Sequence, residues 1–192
     1  MKINIHTLTI NSFLLSIFLL FTLVPWLGYL PLGIFKITLM PILFLVSLEV
    51  FNLTTKTNLI SCGILYGFLF GLSSLIQSVL YPSATAFIFI NPLFSIVPRI
   101  LMGTITGLIA FSIKNVNFNS LIEKFFLCFI ATTFNTLFVF LFVYNLGPII
   151  YSDQNELFEI FSWMILLTNY LPELILTALI FPPIALALKR IY

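Results

Sequence analysis

The arginine at position 99 opens a long apolar segment and follows two polar residues, Asn91 and Ser95. A guanidinium in such a place can hold a carboxylate through two parallel hydrogen bonds. The alternative is an interfacial anchor, whose charged end reaches the lipid headgroups while its stem covers apolar surface. We interpret Arg99, with Asn91 and Ser95, as a candidate site for an anionic ligand.

Two further pairs of polar residues lie well inside apolar segments. Asn135 stands beside Thr132 in the stretch ATTFNT, and Glu173 follows Asn169 in LTNYLPELIL. A glutamate at the centre of a bilayer costs roughly 2–3 kcal/mol on insertion scales, so it needs a partner. We therefore add these four residues to the candidate ligand site. Asn135 can instead form a hydrogen bond between helices, and Glu173 can instead pair with Arg99.

The composition of the chain is that of a membrane protein. Of its 192 residues, 61% are hydrophobic and 7% are charged, and the mean hydropathy is +1.19. Soluble domains carry about 25% charged residues, so this surface is suited to lipid. Continuous apolar runs favour helices over a transmembrane barrel, whose strands alternate.

Signatures of common enzymes and metal sites are missing from the sequence. His6 is the lone histidine, and the two cysteines lie within apolar segments. No phosphate-cradling G-x-x-x-x-G-K-[ST], no G-x-S-x-G and no H-E-x-x-H occurs. We expect neither catalysis nor a metal or other cofactor in this chain, and no nucleic-acid partner. A membrane enzyme that uses Glu173 is poorly supported, because the lone aspartate, Asp153, is distant in sequence.

Polar breaks predict a single all-α domain over residues 1–192, a bundle of six transmembrane helices. The spans are roughly residues 9–27, 37–53, 58–80, 96–113, 121–146 and 159–188. The first run ends at Pro25-Trp26 without a cleavage site, so we expect a retained helix and not a signal peptide. The second span is short, and it is either tilted or completed by the loop before it.

The positions of the basic residues predict the orientation. Six of the eight fall on one side: Lys2, Lys56, Lys114, Lys124, Lys189 and Arg190. The positive-inside rule assigns that side, and both termini, to the cytoplasm. Lys36, Arg99, Asp153, Glu156 and Glu159 fall on the other side. This pattern predicts a multi-pass protein of the cell membrane.

The predicted outer loops are rich in aromatic residues, proline and glycine. Loop 1 is PWLGYLPLGIFK, loop 3 is YPSATAFIFINPLFSIVP and loop 5 is GPIIYSDQNELFE. Apolar loops are unfavourable in water, so we expect them to fold over the bundle as a lid above a site that opens outward.

Small residues recur at four-residue spacing on three of the predicted helices. The third carries Gly63, Gly67 and Gly71, the fourth Gly103 and Gly107, and the first Ser12 and Ser16. Small residues on one face let another backbone come close. We interpret the glycines as packing inside the bundle; for the serines, packing and contact with a partner helix both stay open.

The motifs together resemble the substrate-binding S components of energy-coupling factor (ECF) vitamin transporters. The resemblance rests on LGYLPLG, YGFLFGLSSLI, FINPLFSIVPRILMG, FNT and PELI…FPPIALALK, and it extends from about Pro25 to Lys189. It implies a protein that binds one micronutrient tightly from outside, under a lid that includes Tyr29 of loop 1. It also implies a transmembrane coupling subunit that meets Ser12 and Ser16, and two cytoplasmic ATPases that use the ATP.

Among the vitamins, the pattern is most similar to the pantothenate branch. Pantothenate offers a carboxylate for Arg99 and an amide and two hydroxyls for the other candidate residues. Riboflavin, folate, pyridoxine and a thiamin precursor remain alternatives. A nickel or cobalt component would need an N-terminal histidine, and residue 2 is lysine. An ion-coupled carrier and a structural membrane protein are the competing functions, although the halves of the chain show no repeat typical of carriers.

Overall fold

The computed structural model of the protein describes residues 5–32, 35–54, 58–82, 86–114, 119–151 and 155–191. In chain order the elements are α1 (Ile5–Leu23), α2 (Pro25–Gly28), β1 (Tyr29–Leu32), β2 (Phe35–Thr38), α3 (Met40–Thr54), α4 (Leu59–Leu80), α5 (Ala86–Phe89), α6 (Pro92–Ser95), α7 (Val97–Ile113), α8 (Ser120–Ile150) and α9 (Asn155–Ile191). Each predicted helix coincides with one of the long helices α1, α3, α4, α7, α8 and α9. Among the residues used to predict orientation, Lys2, Lys56 and Asp153 lie outside the described residues.

Four segments in the described part of the chain are long and apolar enough to cross a membrane. They are Leu59–Leu80, Pro92–Ile113, Ser120–Ile150 and Ser162–Ile191. The apolar helices Thr9–Leu23 and Met40–Thr54 are shorter. The chain is therefore a helical, multi-pass membrane protein.

Local sequence explains where several helices begin and end. The side chains of Asn58, Asn91 and Asn119 accept hydrogen bonds from the amide two residues ahead, at 3.1, 3.0 and 3.0 Å. Each bond satisfies an amide that the first helical turn leaves without a partner. α1 ends at Leu23, short of the predicted residue 27, because Pro25 restricts the residue before it and has no amide hydrogen to donate.

α4 and α7 pack so closely that their glycines bring backbone against backbone. A Cβ on Gly63 would meet the carbonyl of Gly103, and a Cβ on Gly67 would meet the carbonyl of Arg99. The interpretation of these glycines as packing residues inside the bundle is confirmed. The same contact holds the beginning of α7, and with it Arg99, against α4.

A two-stranded antiparallel hairpin, β1 and β2, stands where the sequence predicted loop 1. Tyr29 pairs with Thr38 at its base. Pro31 is incompatible with a helix interior, and Ile37 and Thr38 are β-branched residues that favour strands. The hairpin corrects the all-α prediction, although the chain remains mainly helical.

The hairpin leads into a short helix. α3 has 15 residues and is thus about 22 Å long, less than the roughly 30 Å of a hydrocarbon core. β2 leads into α3 through Leu39 alone and packs against α9. The hairpin thus continues directly into α3, whereas the tilted or completed second span stays a prediction.

The predicted loop 3 folds onto the bundle as two short helices, α5 and α6. Ile88 and Phe94 are fully buried and form an apolar cluster with Val139, Val143 and Phe158 of the two long C-terminal helices. This apolar connection thus packs over the bundle, as expected for a segment that water would not favour.

The predicted extent of loop 5 is wrong. α8 continues to Ile150 and α9 already begins at Asn155. The chain stays helical past the expected break because Gly147 lies directly against the ring of Phe158, and this packing holds the two helix ends together. Pro148 is accommodated in the last turn of α8.

A buried ion pair joins α3 to α8 at the end of the bundle away from the hairpin. Lys124 Nζ lies 2.7 Å from Glu49 Oε2 and 2.9 Å from Glu123 Oε1. The sequence placed Lys124 beside a loop as a cytoplasmic charge, but only 2% of it is exposed. Glu49 was not singled out from the sequence, and it neutralises a cation that would be very costly to bury alone.

Candidate functional site

Arg99 is buried at the beginning of α7, with 6% of its surface exposed. Its Nη1 donates a 2.7 Å hydrogen bond to the carbonyl of Phe94. Its guanidinium carbon lies 5.6 Å from the ring centre of Phe70 and 5.1 Å from that of Phe89. Aromatic faces attract a cation, more strongly where water is excluded. This burial excludes the interfacial anchor as an explanation of Arg99.

The guanidinium retains an unused donor. Arg99 Nε is buried and has no hydrogen-bond partner among the described residues. No direct ion pair joins Arg99 to Glu173 in this part of the chain, although the two charges interact electrostatically. A buried cation with a free donor is a strong site for an anion, because desolvation strengthens such a bond.

Glu173 lies at the midpoint of α9 and is 3% exposed. Its Oε1 accepts a 3.1 Å hydrogen bond from the backbone amide of Thr38, at the end of the hairpin. The Asn135 side chain provides a second favourable interaction with this carboxylate. Glu173 is thus partnered mainly by the hairpin and by α8, and Arg99 acts on it from a greater distance.

The face of α8 that points to the interior carries Asn135 and Thr132, both buried. Thr132 donates its hydroxyl to the carbonyl of Cys128 at 2.9 Å, within its own helix. Asn135 Oδ1 is buried without a hydrogen-bond partner in the described residues. Asn135 therefore offers an acceptor to the interior, whereas Thr132 contributes a hydroxyl oxygen whose proton is already engaged.

Tyr29 closes the interior from the hairpin side. Its hydroxyl lies 3.2 Å from Ser73 Oγ and within electrostatic range of Arg99 and Glu173. Burial raises the pKa of Tyr29 to about 12, so the hydroxyl keeps its proton in any physiological condition. Tyr29 thus lies beside the two buried charges, as expected for a residue of a lid.

The polar face of α4 was not predicted from the sequence. Ser73 accepts a 2.8 Å hydrogen bond from Thr22, and Gln77 Nε2 donates to the carbonyl of the same Thr22. Gln77 Oε1 is buried and without a partner in the described structure. Ser73 and Gln77 are four residues apart and follow Phe70 on the same helical face, so their spacing was the signal that could have identified them.

Three predicted ligand residues are already engaged in local hydrogen bonds. Asn91 caps α6 through its side chain, and Ser95 donates its hydroxyl to the Asn91 carbonyl at 3.1 Å. Asn169 is half-buried and accepts a 3.2 Å hydrogen bond from Thr168. Asn91 and Ser95 thus shape the backbone before Arg99, and their roles in binding stay predictions.

The two serines of α1 face outward. Ser12 and Ser16 are exposed, and Ser16 Oγ donates to the Ser12 carbonyl at 2.8 Å. An apolar groove of about 250 Å³ lies beside them, and its lining residues are Asn11, Ser12, Leu15, Leu65, Tyr66 and Leu69. The Ser16 hydroxyl is satisfied within its own helix and needs no polar partner. The two serine side chains also keep this face small.

We call Tyr29, Ser73, Arg99, Asn135 and Glu173 the polar interior. It combines a desolvated cation that has a free donor with an amide oxygen that has no partner. This combination suits a small anion that also carries hydroxyl or amide hydrogens. The anion would accept from Arg99, and its hydrogens would be donated to Asn135 Oδ1.

Comparison with known proteins gives one informative similarity. No protein-family model matches the chain. The chain is 37% identical, over 116 residues, to a curated protein of Leuconostoc mesenteroides named pantothenate transporter PanT; the match covers 58% of this chain and 54% of that protein. The chain thus spans about half the length of this relative. The similarity confirms the resemblance to the pantothenate branch that the motifs indicated.

Proposed function

We propose that the protein binds pantothenate and serves as the S component of an ECF-type vitamin importer. The observation that supports this most is the buried Arg99, whose Nε has no partner among the described residues and which lies within electrostatic range of Tyr29 at the base of the hairpin. The similarity to a pantothenate transporter supports pantothenate over the other vitamins. Folate, riboflavin, pyridoxine and a thiamin precursor are the alternative ligands.

The chemistry of pantothenate matches the groups on offer. Its carboxylate would bind the Arg99 guanidinium, and its amide and hydroxyl hydrogens would be donated to Asn135 Oδ1. The Phe70 and Phe89 rings hold the guanidinium in place, so little conformational entropy is lost on binding. Water excluded by the hairpin strengthens both interactions. A high affinity follows from this preorganisation.

The proposed orientation has six spans, with both termini in the cytoplasm and the hairpin near the outer surface. The distribution of basic residues supports it, because six of the eight fall on the side assigned to the cytoplasm. The ligand would then enter from outside, beneath the hairpin, and reach Arg99 first. The resemblance implies that release to the inside follows a reorientation of the protein within the membrane.

The proposed partners are a transmembrane coupling subunit and two cytoplasmic ATPases, which supply the ATP-driven step. The exposed Ser12 and Ser16, beside the apolar groove on α1 and α4, support a contact with a partner helix. Small side chains allow a second helix to approach closely in lipid. ATP is used by the partners in this proposal, and the chain itself needs no cofactor.

The proposal is tested by reconstituting the purified chain in liposomes, with and without an ECF coupling module. The chain alone should bind labelled pantothenate without accumulating it, and accumulation should require the module and internal ATP. Replacing Ser12 and Ser16 by leucine should abolish accumulation and co-purification but keep the affinity, because leucine holds the partner helix at a distance.

Three outcomes would contradict this function. Accumulation by the chain alone, driven by an ion gradient, would show a secondary carrier. Absence of binding by a folded chain that still assembles with its partners would show a structural role. Loss of affinity in the Ser12 and Ser16 variant, with assembly intact, would show that this face packs inside the bundle.

A further inference from the structure

The base of the hairpin is tied to two helices that belong to different parts of the bundle. Tyr29 and Thr38 form its first pair. The Tyr29 hydroxyl contacts Ser73 of α4 at 3.2 Å, and the Thr38 amide donates to Glu173 of α9 at 3.1 Å. α4 packs mainly against α7, and α9 mainly against α8. The hairpin base therefore spans the polar interior from one helix pair to the other.

The Thr38 amide is aimed at Glu173 by the other bonds of Thr38. Its hydroxyl donates to the Gly28 carbonyl at 3.4 Å and accepts from the Met40 amide at 3.1 Å. The next amide, of Leu39, donates to the same Gly28 carbonyl at 2.9 Å. These bonds fix the junction between the hairpin and α3, so a carboxylate on α9 is the acceptor that remains for the Thr38 amide.

A carboxylate is an unexpected neighbour for an anion-binding arginine. It would repel an anionic ligand, and at the middle of a helix in lipid it is costly to keep. Its bond to a backbone amide is charge-assisted and therefore stronger than a neutral hydrogen bond. The position of Glu173 is explained if its main task is to hold the hairpin.

We propose that Glu173 is the latch of the hairpin: its hydrogen bond to the Thr38 amide keeps the hairpin closed over Arg99, and this bond must break for a ligand to enter or leave. Tyr29 and Ser73 form the second, weaker point of attachment. Glu173 is then a positioning residue that controls the rates of capture and release. The consequence for ligand exchange rests on the proposed function, whereas the latch itself can be measured without any ligand.

The first test is hydrogen–deuterium exchange of the whole purified chain without ligand. Glu173→Ala should speed the exchange of the amides around Thr38 at least about tenfold, because the closed state loses a charge-assisted bond. Glu173→Gln retains a hydrogen-bond acceptor, so its exchange rate should lie between those of wild type and Glu173→Ala. Glu123→Gln changes a partly exposed carboxylate at the other end of the bundle, where Lys124 keeps its pair with Glu49, and should leave these amides as in wild type.

Tyr29→Phe keeps the ring and removes the second attachment, so the latch remains testable if Glu173→Ala does not fold. It should speed the same exchange by a smaller factor, and more strongly when combined with Glu173→Gln. Unchanged protection around Thr38 in both Glu173 variants would overturn the latch.

The second test measures dissociation rates of pantothenate and of its alcohol analogue pantothenol. Glu173→Ala should speed both at least about fivefold and by the same factor, since the latch acts on the hairpin and not on the carboxylate. A change confined to the acid, with normal exchange, would show that Glu173 acts on the ligand and would overturn the latch. Faster exchange in a chain that binds neither compound would keep the latch and contradict the proposed function.

Discussion

At the scale of single residues, the charged groups buried in the described part of the chain are satisfied in three different ways. Lys124 is neutralised by a direct ion pair with Glu49, and this pair joins two helices. Glu173 receives a backbone amide. Arg99 receives one carbonyl and two aromatic faces but keeps Nε without a partner in the described structure. Of the three, only Arg99 has an unused donor for a ligand.

Asn135 provides a residue-scale prediction that separates ligand contact from helix packing. Asn135→Leu should weaken pantothenate and pantothenol alike by at least about tenfold, because both carry the hydrogens that Oδ1 would accept. Stability should fall slightly, because the Asn135 side chain also interacts favourably with the Glu173 carboxylate, so the loss of affinity is the result that identifies ligand contact. Binding is measured by isothermal titration calorimetry and stability by thermal unfolding.

The matched control for Asn135 is Thr133→Val. Thr133 bonds the Tyr170 hydroxyl at 3.0 Å between the same two helices, so this change should lower stability slightly and leave affinity unaltered. Unaltered affinity in Asn135→Leu, together with lower stability, would show that Asn135 serves only to join helices.

The sequence indicated most residues of the polar interior, because polar groups stand out in apolar segments. Arg99, Asn135 and Glu173 could be predicted because each lies in or at the beginning of an apolar segment, where a polar side chain is costly. Their hydrogen-bond partners could not be predicted, because the Thr38 amide that satisfies Glu173 belongs to the backbone of a distant hairpin. Ser73 and Gln77 were not predicted, because uncharged serine and glutamine cost less than a charge within an apolar segment and therefore stand out less.

At the scale of elements, the glycines of α4 and α7 position the site. Gly67 lies against the carbonyl of Arg99, whereas Gly107 lies against that of Leu59. Helix spacing was predictable from the four-residue repeat. The hairpin was not, because its strands are short and consist of the same apolar residues as the helices around them.

The two glycines give a paired prediction. Gly67→Ala and Gly107→Ala should each destabilise the chain by about 1–3 kcal/mol, since a Cβ there collides with backbone. Alanine favours helices over glycine, so any loss measured by thermal unfolding must come from packing. Only Gly67→Ala should also weaken pantothenate binding, because it displaces Arg99.

The matched control for the glycines is Leu108→Ala, on the exposed side of α7, which should change neither quantity appreciably. Equal effects of Gly67→Ala and Gly107→Ala on affinity would contradict the positioning role of the α4–α7 contact.

At the scale of the whole molecule, the composition and the apolar runs were sufficient to predict a multi-pass helical protein. Each predicted helix overlaps a helix of the structure, because lipid leaves few alternatives to a continuous hydrogen-bonded helix. The extent of loop 5 differs from the prediction because Pro148 and the polar residues after it are typical of a helix break. Packing of Phe158 on Gly147 outweighs that local signal.

The orientation of the chain in the membrane gives a prediction at the scale of the whole molecule. Single cysteines at Pro82 and Ile191, both exposed at helix ends, should fall on opposite sides of the membrane. Pro82→Cys should react with an impermeant thiol reagent in intact cells, and Ile191→Cys only after permeabilisation. The native Cys62 and Cys128 are buried and should give little background. The reverse pattern would invert the topology and the direction of ligand entrance.

The central claim is that Arg99 binds the carboxylate of the ligand, and a comparison of acid and alcohol tests it most directly. The affinities of pantothenate and pantothenol are measured by calorimetry for wild type, Arg99→Lys and Arg99→Ala. For pantothenate, Arg99→Ala should cost at least about 2 kcal/mol, and Lys should fall in between because it keeps the charge but not the planar fork. Pantothenol should bind wild type weakly and be nearly indifferent to both substitutions. Equal losses for acid and alcohol would show that Arg99 only holds α6 and α7 in place, and they would contradict the account.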